Sequence, residues 1–305
     1  MAGTGITYKF EIAFGGSVEG LFRIGVSTVG GTDVISGWPA DAGYDDVTED
    51  AVAFSLRRGR SNDQAQLMAG TASFRLRDQS GKYNPANTSS AYSPNVVPFK
   101  VVRITATYSG TDYPLFYGFI TNIANNANPS SPLTTFTCAD LFAWLTRRRP
   151  TISATGSTTT GAAIGAVLDE INWPASLRSL DTGDTIDDFS ADGTKTSLSL
   201  IKTLLDAEMG HFYIAGDGKA TFKNRNARYA SLSSLSTIDG ASEALMAFQS
   251  TNSVATIFNA ATVTRTGGSA QVATNTDSIN AYGRRDMGAL TTTYVSTDEQ
   301  ALARA

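Results

Sequence analysis

The chain has very few of the residues that build reactive or metal-binding centres. Its 305 residues include one cysteine, Cys138, and one histidine, His211. A single cysteine cannot form a disulfide bond within the chain. One cysteine and one histidine also cannot make a zinc site of the usual His/Cys spacing. These absences exclude a disulfide-stapled scaffold and the common zinc folds, and they leave Cys138 a default role as a small buried apolar side chain.

Charged residues are also scarce. They make up 17% of the chain, and the formal net charge is −4 with no long run of one sign. The sequence therefore predicts no broad basic face and gives little support to a nucleic-acid-binding role. The densest basic cluster is Arg147-Arg148-Arg149, directly before Pro150. We interpret it as a solvated helix C-terminus, with a channel or phosphate contact as the alternative.

Long apolar runs are missing as well. No run approaches the ~20 residues of a transmembrane helix. Met1–Gly5 is polar and shows no signal-peptide pattern. We therefore expect no stable membrane binding, and we expect the chain to be made in a cytoplasm. Any extracellular position would then follow from release inside a particle.

Motifs for catalysis or cofactor binding are incomplete. Gly156 and Gly161 have the glycine spacing of a phosphate-binding loop, but Ala162 stands where that loop has lysine. No G-x-S-x-G motif of a nucleophilic serine occurs. Nothing near Cys138 or His211 supports a cysteine–histidine nucleophile. We predict no catalytic, cofactor-binding or metal-binding residue, and no cofactor.

Two acidic clusters contain the residue type that hydrolyses glycosides or binds calcium. They lie at 41–50 and 181–192. Neither cluster has the calcium-loop pattern of an EF-hand or an aromatic sugar platform in clear register. We interpret both as solvated turns.

Alternating apolar and polar residues predict short antiparallel strands separated by Gly- and Asn-rich turns. The pattern occurs at 6–14, 51–58, 71–77, 101–108 and 114–123. In the third of these segments Ala72, Phe74 and Leu76 share one face. This arrangement predicts a small antiparallel barrel or sandwich.

Helical spacing occurs at 138–147, 161–172, 196–209 and 296–305. Thr196 is the expected cap of the third helix and Gly210 its stop. Ser296 or Thr297 is the expected cap of the last helix, which we expect to continue through residue 305. The Ser/Thr/Gly-rich residues 151–160 predict a linker or exposed loop.

Two hairpins are predicted in the second half of the chain. The first covers 211–222, and its Asp217-Gly218 turn suits the positive φ values of a tight hairpin. The second covers 254–265 and 269–273 around Gly267-Gly268.

An ordered series of motifs resembles the minor tail proteins of siphophages. Arg57–Arg60 is followed by Ala69–Leu76, and Asp78–Pro85 then gives a D-x-S-G-x-Y-x-P motif. Pro98–Ile104 and Leu115–Ile120 come next in the same order.

These motifs have a physical interpretation. Gly59 and Gly81 permit turns, and Gly118 permits a bend or close packing within a strand. Pro85, Pro94 and Pro98 are expected to hold an extended crossover over the barrel.

The second half continues the resemblance. Asn172–Ala175, with Arg178 and Leu180–Gly183, is similar to the linker of such proteins, and Leu200–Arg228 to their helix-and-hairpin unit. Ser278–Arg285 resembles a stretch of hub proteins.

The resemblance implies a tail-tip or baseplate hub protein of a bacteriophage virion, made in the host bacterial cytoplasm. Such hubs form a homotrimeric ring in which each subunit carries two related β-barrels, so that three chains match a sixfold tail tube. The implied partners are the distal tail protein ring, the tape measure protein and tip or receptor-binding proteins. DNA passes transiently through the channel, which Arg147, Arg148 and Arg149 are candidates to line.

The predicted fold is mainly β with α+β parts. We expect an N-terminal β-barrel over residues 1–135, a mixed α+β domain over 136–230, and a second barrel-like segment over 231–305 that ends in an incomplete helix. Three alternative functions stay open: a hexameric distal tail ring protein, a tail-borne cell-wall hydrolase and a carbohydrate-binding module. The helix and hairpin at 196–222 favour the hub over the hexameric ring.

Overall fold

A computed structural model describes residues 5–15, 43–59, 69–126, 132–228, 257–292 and 294–305. Strands dominate the described residues, which confirms the mainly β fold class. No helix among them has the length and apolar character needed to cross a bilayer.

Seven antiparallel strands form the largest sheet, in the order β2-β1-β5-β6-β7-β4-β3. All five predicted strand segments are confirmed, with shifted ends. The strands are β1 (Thr7–Ile12), β2 (Asp45–Asp46), β3 (Ala51–Arg57), β4 (Thr71–Arg77), β5 (Val101–Tyr108), β6 (Thr111–Asn126) and β7 (Leu133–Ala139).

The sheet curls until its two ends touch. The ring of Phe54 in β3 lies 4.9 Å from that of Tyr8 and 5.2 Å from that of Phe10, both in β1. The turn of 3-10 helix Thr48–Asp50 joins β2 to β3, and the Phe10 amide donates to Thr48 Oγ1 at 2.9 Å. This closure gives the first part of the chain a barrel-like shape.

One face of every long strand fills the barrel. Ala72, Phe74 and Leu76 are buried there, as predicted. They pack in one apolar cluster with side chains from the other strands: Phe10, Ile12, Val102, Ile104, Phe116, Ile120, Phe136 and Cys138.

The crossover between β4 and β5 is a chain of consecutive turns, so the predicted extended crossover is wrong. The amides of Gly81, Asn84, Asn87, Ser90 and Ser93 each donate to the carbonyl three residues earlier. Asn, Ser and Gly favour such turns because their side chains, or the lack of one, suit turn backbone. The segment covers one end of the barrel, where Tyr83 and Tyr92 pack with the core.

The middle part combines short strands with helices. Its elements are α1 (Phe142–Leu145), β8 (Thr151–Ile152), β9 (Thr158–Thr159), α2 (Thr160–Glu170), β10 (Arg178–Leu180), β11 (Thr185–Ile186), β12 (Ala191–Asp192), α3 (Ser197–Glu208), β13 (His211–Ile214) and β14 (Ala220–Lys223). β14 lies between β13 and β10, β11 pairs with β9, and β12 pairs with β8.

The last part is a three-stranded sheet with two short helices. Its elements are β15 (Ala260–Arg265), β16 (Ala270–Thr274), α4 (Thr276–Tyr282), β17 (Leu290–Thr292) and α5 (Asp298–Leu302). The predicted hairpin is confirmed over β15 and β16, while residues 254–256 lie outside the described part. Helix α4 was not predicted.

The predicted helix at 138–147 is largely wrong. Residues 138 and 139 continue β7, because the alternation that buries Phe136 also buries Cys138. The strand ends at Ala139. The carboxylate of the next residue, Asp140, accepts the Phe142 amide at 3.0 Å at the start of the short α1. The predicted loop at 151–160 likewise contains the short strands β8 and β9.

The ends of the other predicted helices show which residues stop them. Thr196 caps α3 by accepting the Ser199 amide at 3.2 Å, as expected. Met209, rather than Gly210, takes the left-handed conformation with φ 56°. Gly210 is needed because a Cβ there would lie 2.7 Å from the Lys223 carbonyl oxygen. Helix α5 ends at Leu302 instead of continuing to residue 305.

The barrel and the middle part share a second apolar cluster. Val101, Tyr117 and Phe119 point outward from β5 and β6, and they pack with Trp144, Trp173 and the buried faces of α2 and α3. The β13–β14 turn also touches β6, since a Cβ on Gly216 would lie 2.1 Å from the Pro114 carbonyl oxygen. The predicted domain division at 135 and 230 stays a prediction.

Gly216→Ala is expected to destabilise the protein, because the added methyl meets backbone that cannot yield. We expect a loss of roughly 1–3 kcal/mol in the free energy of unfolding, as for other overpacked sites, measured by urea denaturation. Gly288→Ala is the matched control, since a Cβ there has nothing within 4 Å. Equal stability of the two variants would contradict the close hairpin contact.

The ionisation of Asp140 is expected to make the free energy of unfolding decrease as pH rises. Burial raises the pKa of its carboxyl to about 6, partly opposed by the amides of Gly70 and Phe142. A raised carboxyl pKa contributes stability that is complete below the unfolded value near 4 and is lost as pH rises through about 6. The loss is on the order of 2–3 kcal/mol. Urea unfolding should show this decrease in the wild type and not in Asp140→Asn. Parallel pH profiles of the two proteins would contradict the buried carboxyl.

Candidate functional site

The structure separates the two residues that could have formed a nucleophile pair. Cys138 is buried in the barrel core, and burial raises the pKa of its thiol. A nucleophilic cysteine needs the opposite shift. His211 begins β13 in a different sheet, where it pairs with Lys223. Cys138 therefore acts as an apolar core residue.

The glycine pair that resembles a phosphate loop is explained by packing. The Gly161 amide donates to the Thr182 carbonyl oxygen at 2.9 Å. A Cβ on Gly161 would lie 2.0 Å from the Asp181 carbonyl oxygen. The glycine is required by the close approach of this chain segment, and its amide already has a partner.

The first acidic cluster holds local structure. Asp46 accepts the Thr48 amide at 2.9 Å. Asp50 accepts the Tyr83 hydroxyl at 2.6 Å and Lys82 Nζ at 2.9 Å. Asp41 lies outside the described residues. Asp46 and Asp50 thus fix the turn before β3 and the crossover packed on it.

The second acidic cluster is engaged in the same way. Asp184 binds Arg225 at 2.7 Å and Arg304 at 3.2 Å, and Asp181 binds Lys223 at 3.0 Å. The described parts of the chain contain no group of three or more His, Cys, Asp or Glu residues placed to hold a metal ion.

The three candidate channel arginines lie at the surface between α1 and β8. The guanidinium of Arg147 lies 5.3 Å from the Phe99 ring centroid, and that of Arg148 lies 4.9 Å from the Trp144 ring centroid. Arg149 donates to the Thr194 carbonyl oxygen. The stretch is therefore tied to its own fold, and its place at a channel stays a prediction.

A group of exposed aromatic and aliphatic side chains lies where the seven-stranded sheet extends beyond the barrel core. We call Ile6, Tyr8, Phe54, Tyr108 and Tyr113 the aromatic flap. Their exposed fractions lie between 37% and 52%.

The strand register places the flap residues together. Tyr8 in β1 lies opposite Ala106 in β5, and Ala106 lies opposite Tyr113 in β6. Side chains two residues apart on a strand share a face, so Tyr8 shares the face of the buried Phe10. The flap is thus a continuation of the barrel's inner face past the end of its packed core.

Both margins of the flap lack a strand partner in the described residues. β2 pairs with β1 only at Glu11 and Ile12. β7 pairs with β6 only from Phe119 onward, so the start of β6 has β5 on one side alone. The β13–β14 turn meets the β6 margin at Pro114. The β1 margin beside an apolar surface is suited to pairing with another protein segment.

The flap is a candidate functional surface that the sequence alone does not predict. The available signal was the continuation of the inward-facing alternation from Phe10 back to Tyr8 and from Ile104 on to Tyr108. Register across the three strands could not be derived from the sequence.

Three solved structures match this fold over most of the chain. The 43 kDa tail protein of prophage MuSo2 from Shewanella oneidensis is 13% identical, with a TM-score of 0.56 over 98% of this chain and 77% of that one. The tail protein from Neisseria meningitidis MC58 is 10% identical, with a TM-score of 0.54 over 97% and 73% of the two chains. Prophage tail protein gp18 from Listeria monocytogenes EGD-e is 12% identical, with a TM-score of 0.50 over 86% and 73%.

The chain has the fold of phage tail proteins. This confirms, at the level of fold, the resemblance that its ordered motifs indicate. No protein-family model and no curated protein matches the sequence. At identities of 10–13% to the tail proteins, the match establishes the shared fold alone. The surfaces of this chain are therefore interpreted from its own residues.

Cys138 should react very slowly with a thiol reagent in the native protein. Its burial in an apolar cluster blocks access, and its raised pKa removes thiolate at neutral pH. Ellman's reagent is expected to label it only after unfolding in denaturant. Rapid labelling of native protein, at the rate of a free cysteine control, would contradict the buried position.

Proposed function

We propose that this protein is a structural component of a phage tail tip, a hub that forms a homotrimeric ring under the tail tube. The observation that carries the proposal is the fold match to three phage tail proteins over 86–98% of the chain. The ring would join the distal tail protein to tip or receptor-binding proteins. Its channel would pass the tape measure protein and then DNA.

The aromatic flap supports a function based on protein interfaces. Tyrosine and phenylalanine are enriched in interface cores because they bury large area at a low entropy cost. In the proposed ring, the flap of one subunit packs on a neighbouring subunit. The exposed aromatic area of the isolated chain is then buried in the assembly.

The described residues support this function over catalysis. The described carboxylates of both acidic clusters are engaged in turns or ion pairs, apart from exposed ones such as Asp187. Cys138 is inert by burial. We propose a non-enzymatic protein that acts at the tail tip of the virion. Lining of the channel by Arg147, Arg148 and Arg149 belongs to the same proposal.

Native mass spectrometry of the purified chain tests the ring. We expect three times the 32.2 kDa chain mass, and threefold symmetry in an assembled tail by electron microscopy. A sixfold ring would instead indicate the distal tail ring protein. The variant Tyr8→Ser/Tyr113→Ser should shift the population toward monomer, because it removes aromatic area from the interface.

The matched control for this variant is Tyr213→Ser/Tyr282→Ser. Both of its tyrosines are also exposed, and both lie outside the flap. It should retain the wild-type mass. If the flap variant and the wild type have equal masses, the flap is not part of the subunit interface. If the wild-type protein is present as single copies in assembled tails, the ring proposal is wrong.

A further inference from the structure

Three neighbouring strands of the barrel carry positive charge and no negative charge. β3, β4 and β7 contain Arg57, Arg75 and Arg77 and not one Asp or Glu. The chain as a whole has a net charge of −4. Positive charge is therefore concentrated locally on a protein that is acidic in total.

All three arginines lie on the outer face of the sheet. In β4 the buried residues Ala72, Phe74 and Leu76 alternate with exposed ones, which places Arg75 and Arg77 outward. Arg57 in β3 lies opposite Thr71, which is outward by the same alternation. We call this surface the arginine face.

The other side chains of the arginine face are mostly small and polar. Arg75 has Ala53 on one side and Thr135 on the other. Along the same rows lie Ser55, Thr71, Ser73 and Thr137. Leu133, opposite Arg77, is a larger apolar neighbour.

The described residues leave these arginines without a charge partner. In the described parts of the chain, no ion pair or side-chain hydrogen bond involves any of the three. The charge of Arg77 acts on Asp50, but Asp50 Oδ2 already accepts from Tyr83 and Lys82. Within the described residues these three guanidinium groups are therefore available to an external anion.

We propose that the arginine face binds the phosphate backbone of nucleic acid without regard to base sequence. Guanidinium groups bind phosphate oxygens through paired N–H donors, and Ser and Thr hydroxyls are further phosphate donors. Arg75 and Arg77 are about 7 Å apart along β4, and the stripe from Arg57 to Arg77 is about 20 Å long, from the rise per residue of a strand. A stripe of donors that runs along neighbouring strands can follow an extended polyanion.

The composition of the face favours a polyanion over a protein partner. Interface cores between proteins are rich in aromatic and apolar side chains and poor in charge. Arginine is itself enriched at protein interfaces, but the arginine face has no aromatic side chain and consists mostly of Ser, Thr and Ala, whereas the aromatic flap has the composition of an interface core. The two surfaces therefore suit different partners.

This inference deepens the proposed function and rests on it for its biological setting. In a trimeric ring around a DNA channel, three copies of the face would give nine arginines. Salt-sensitive contacts of this kind hold DNA without fixing its register, because phosphate contacts are the same at every step of the helix.

The test compares two variants that remove the same charge from the full-length protein. The first is Arg57→Gln/Arg75→Gln/Arg77→Gln, and the control is Lys195→Gln/Lys202→Gln/Arg284→Gln, three exposed cations that lie outside the arginine face. The probe is a fluorescein-labelled DNA duplex of mixed sequence, followed by fluorescence anisotropy between about 50 and 200 mM salt. Thermal unfolding by circular dichroism confirms that each variant is folded.

Wild type and the control should bind the duplex at low salt with a steep salt dependence. The first variant should bind at least about tenfold more weakly, and its log–log salt slope should be smaller by about 2–3, one contact being worth about 0.9. No binding by wild type, unchanged binding by the first variant, or loss of binding in the control alone would each overturn the proposal.

Native mass spectrometry of the same samples separates this result from the ring. Loss of DNA binding with the wild-type oligomer retained supports the arginine face. Loss of the oligomer in the first variant would show that the face is a protein interface and overturn its role with DNA. DNA binding by a protein that is monomeric throughout would leave the arginine face standing and remove the ring.

Discussion

The two-faced hairpin of β5 and β6 is the element on which the rest of the structure depends. Its inner side chains, such as Ile104 and Phe116, fill the barrel. Its outer side chains Val101, Tyr117 and Phe119 fill the cluster shared with α2 and α3. Because successive side chains of a strand point to opposite faces, one hairpin joins both cores, and a register shift would disrupt both at once.

The same hairpin explains how a barrel of this size presents a large apolar surface to solvent. β6 is the longest strand, at 16 residues, and pairs with β7 over only part of its length. The remaining part carries the inner-face pattern beyond the core, where Tyr108 and Tyr113 are about half exposed. A length mismatch between neighbouring strands therefore creates the aromatic flap.

Three of the four buried carboxylates among the described residues accept backbone amides, while the fourth, Glu11, pairs with Arg103. Asp78 accepts the Tyr83 amide at 3.0 Å, and Asp140 accepts the Gly70 amide at 2.6 Å. Glu208 accepts the Asp184 amide at 2.8 Å and the Thr160 hydroxyl at 3.0 Å. Each sits where a strand or helix ends and leaves amides without partners. In a chain with few charges, these carboxylates are used to hold segment ends together.

Strands and caps were predictable because they depend on local patterns. Alternation located the five long strands, and hydroxyl residues located the starts of α3 and α5. The region around Asp140 was not predictable, since Leu141, Trp144 and Leu145 have helical spacing while Cys138 belongs to a strand. The turns after Asp78 were also misinterpreted, because proline fits both extended chain and turns.

Locating the two candidate surfaces requires the register between strands as well as the alternation pattern within each strand. Arg57 and Arg75 are 18 positions apart in the sequence, and the pairing of β3 with β4 places them on one face. Tyr8 and Tyr113 meet only through Ala106. The net charge is a sum over the whole chain, so a negative total is compatible with a local stripe of positive charge on one face. In a protein that acts through surfaces, partner preference is therefore set by strand pairing, which places each side chain on its face.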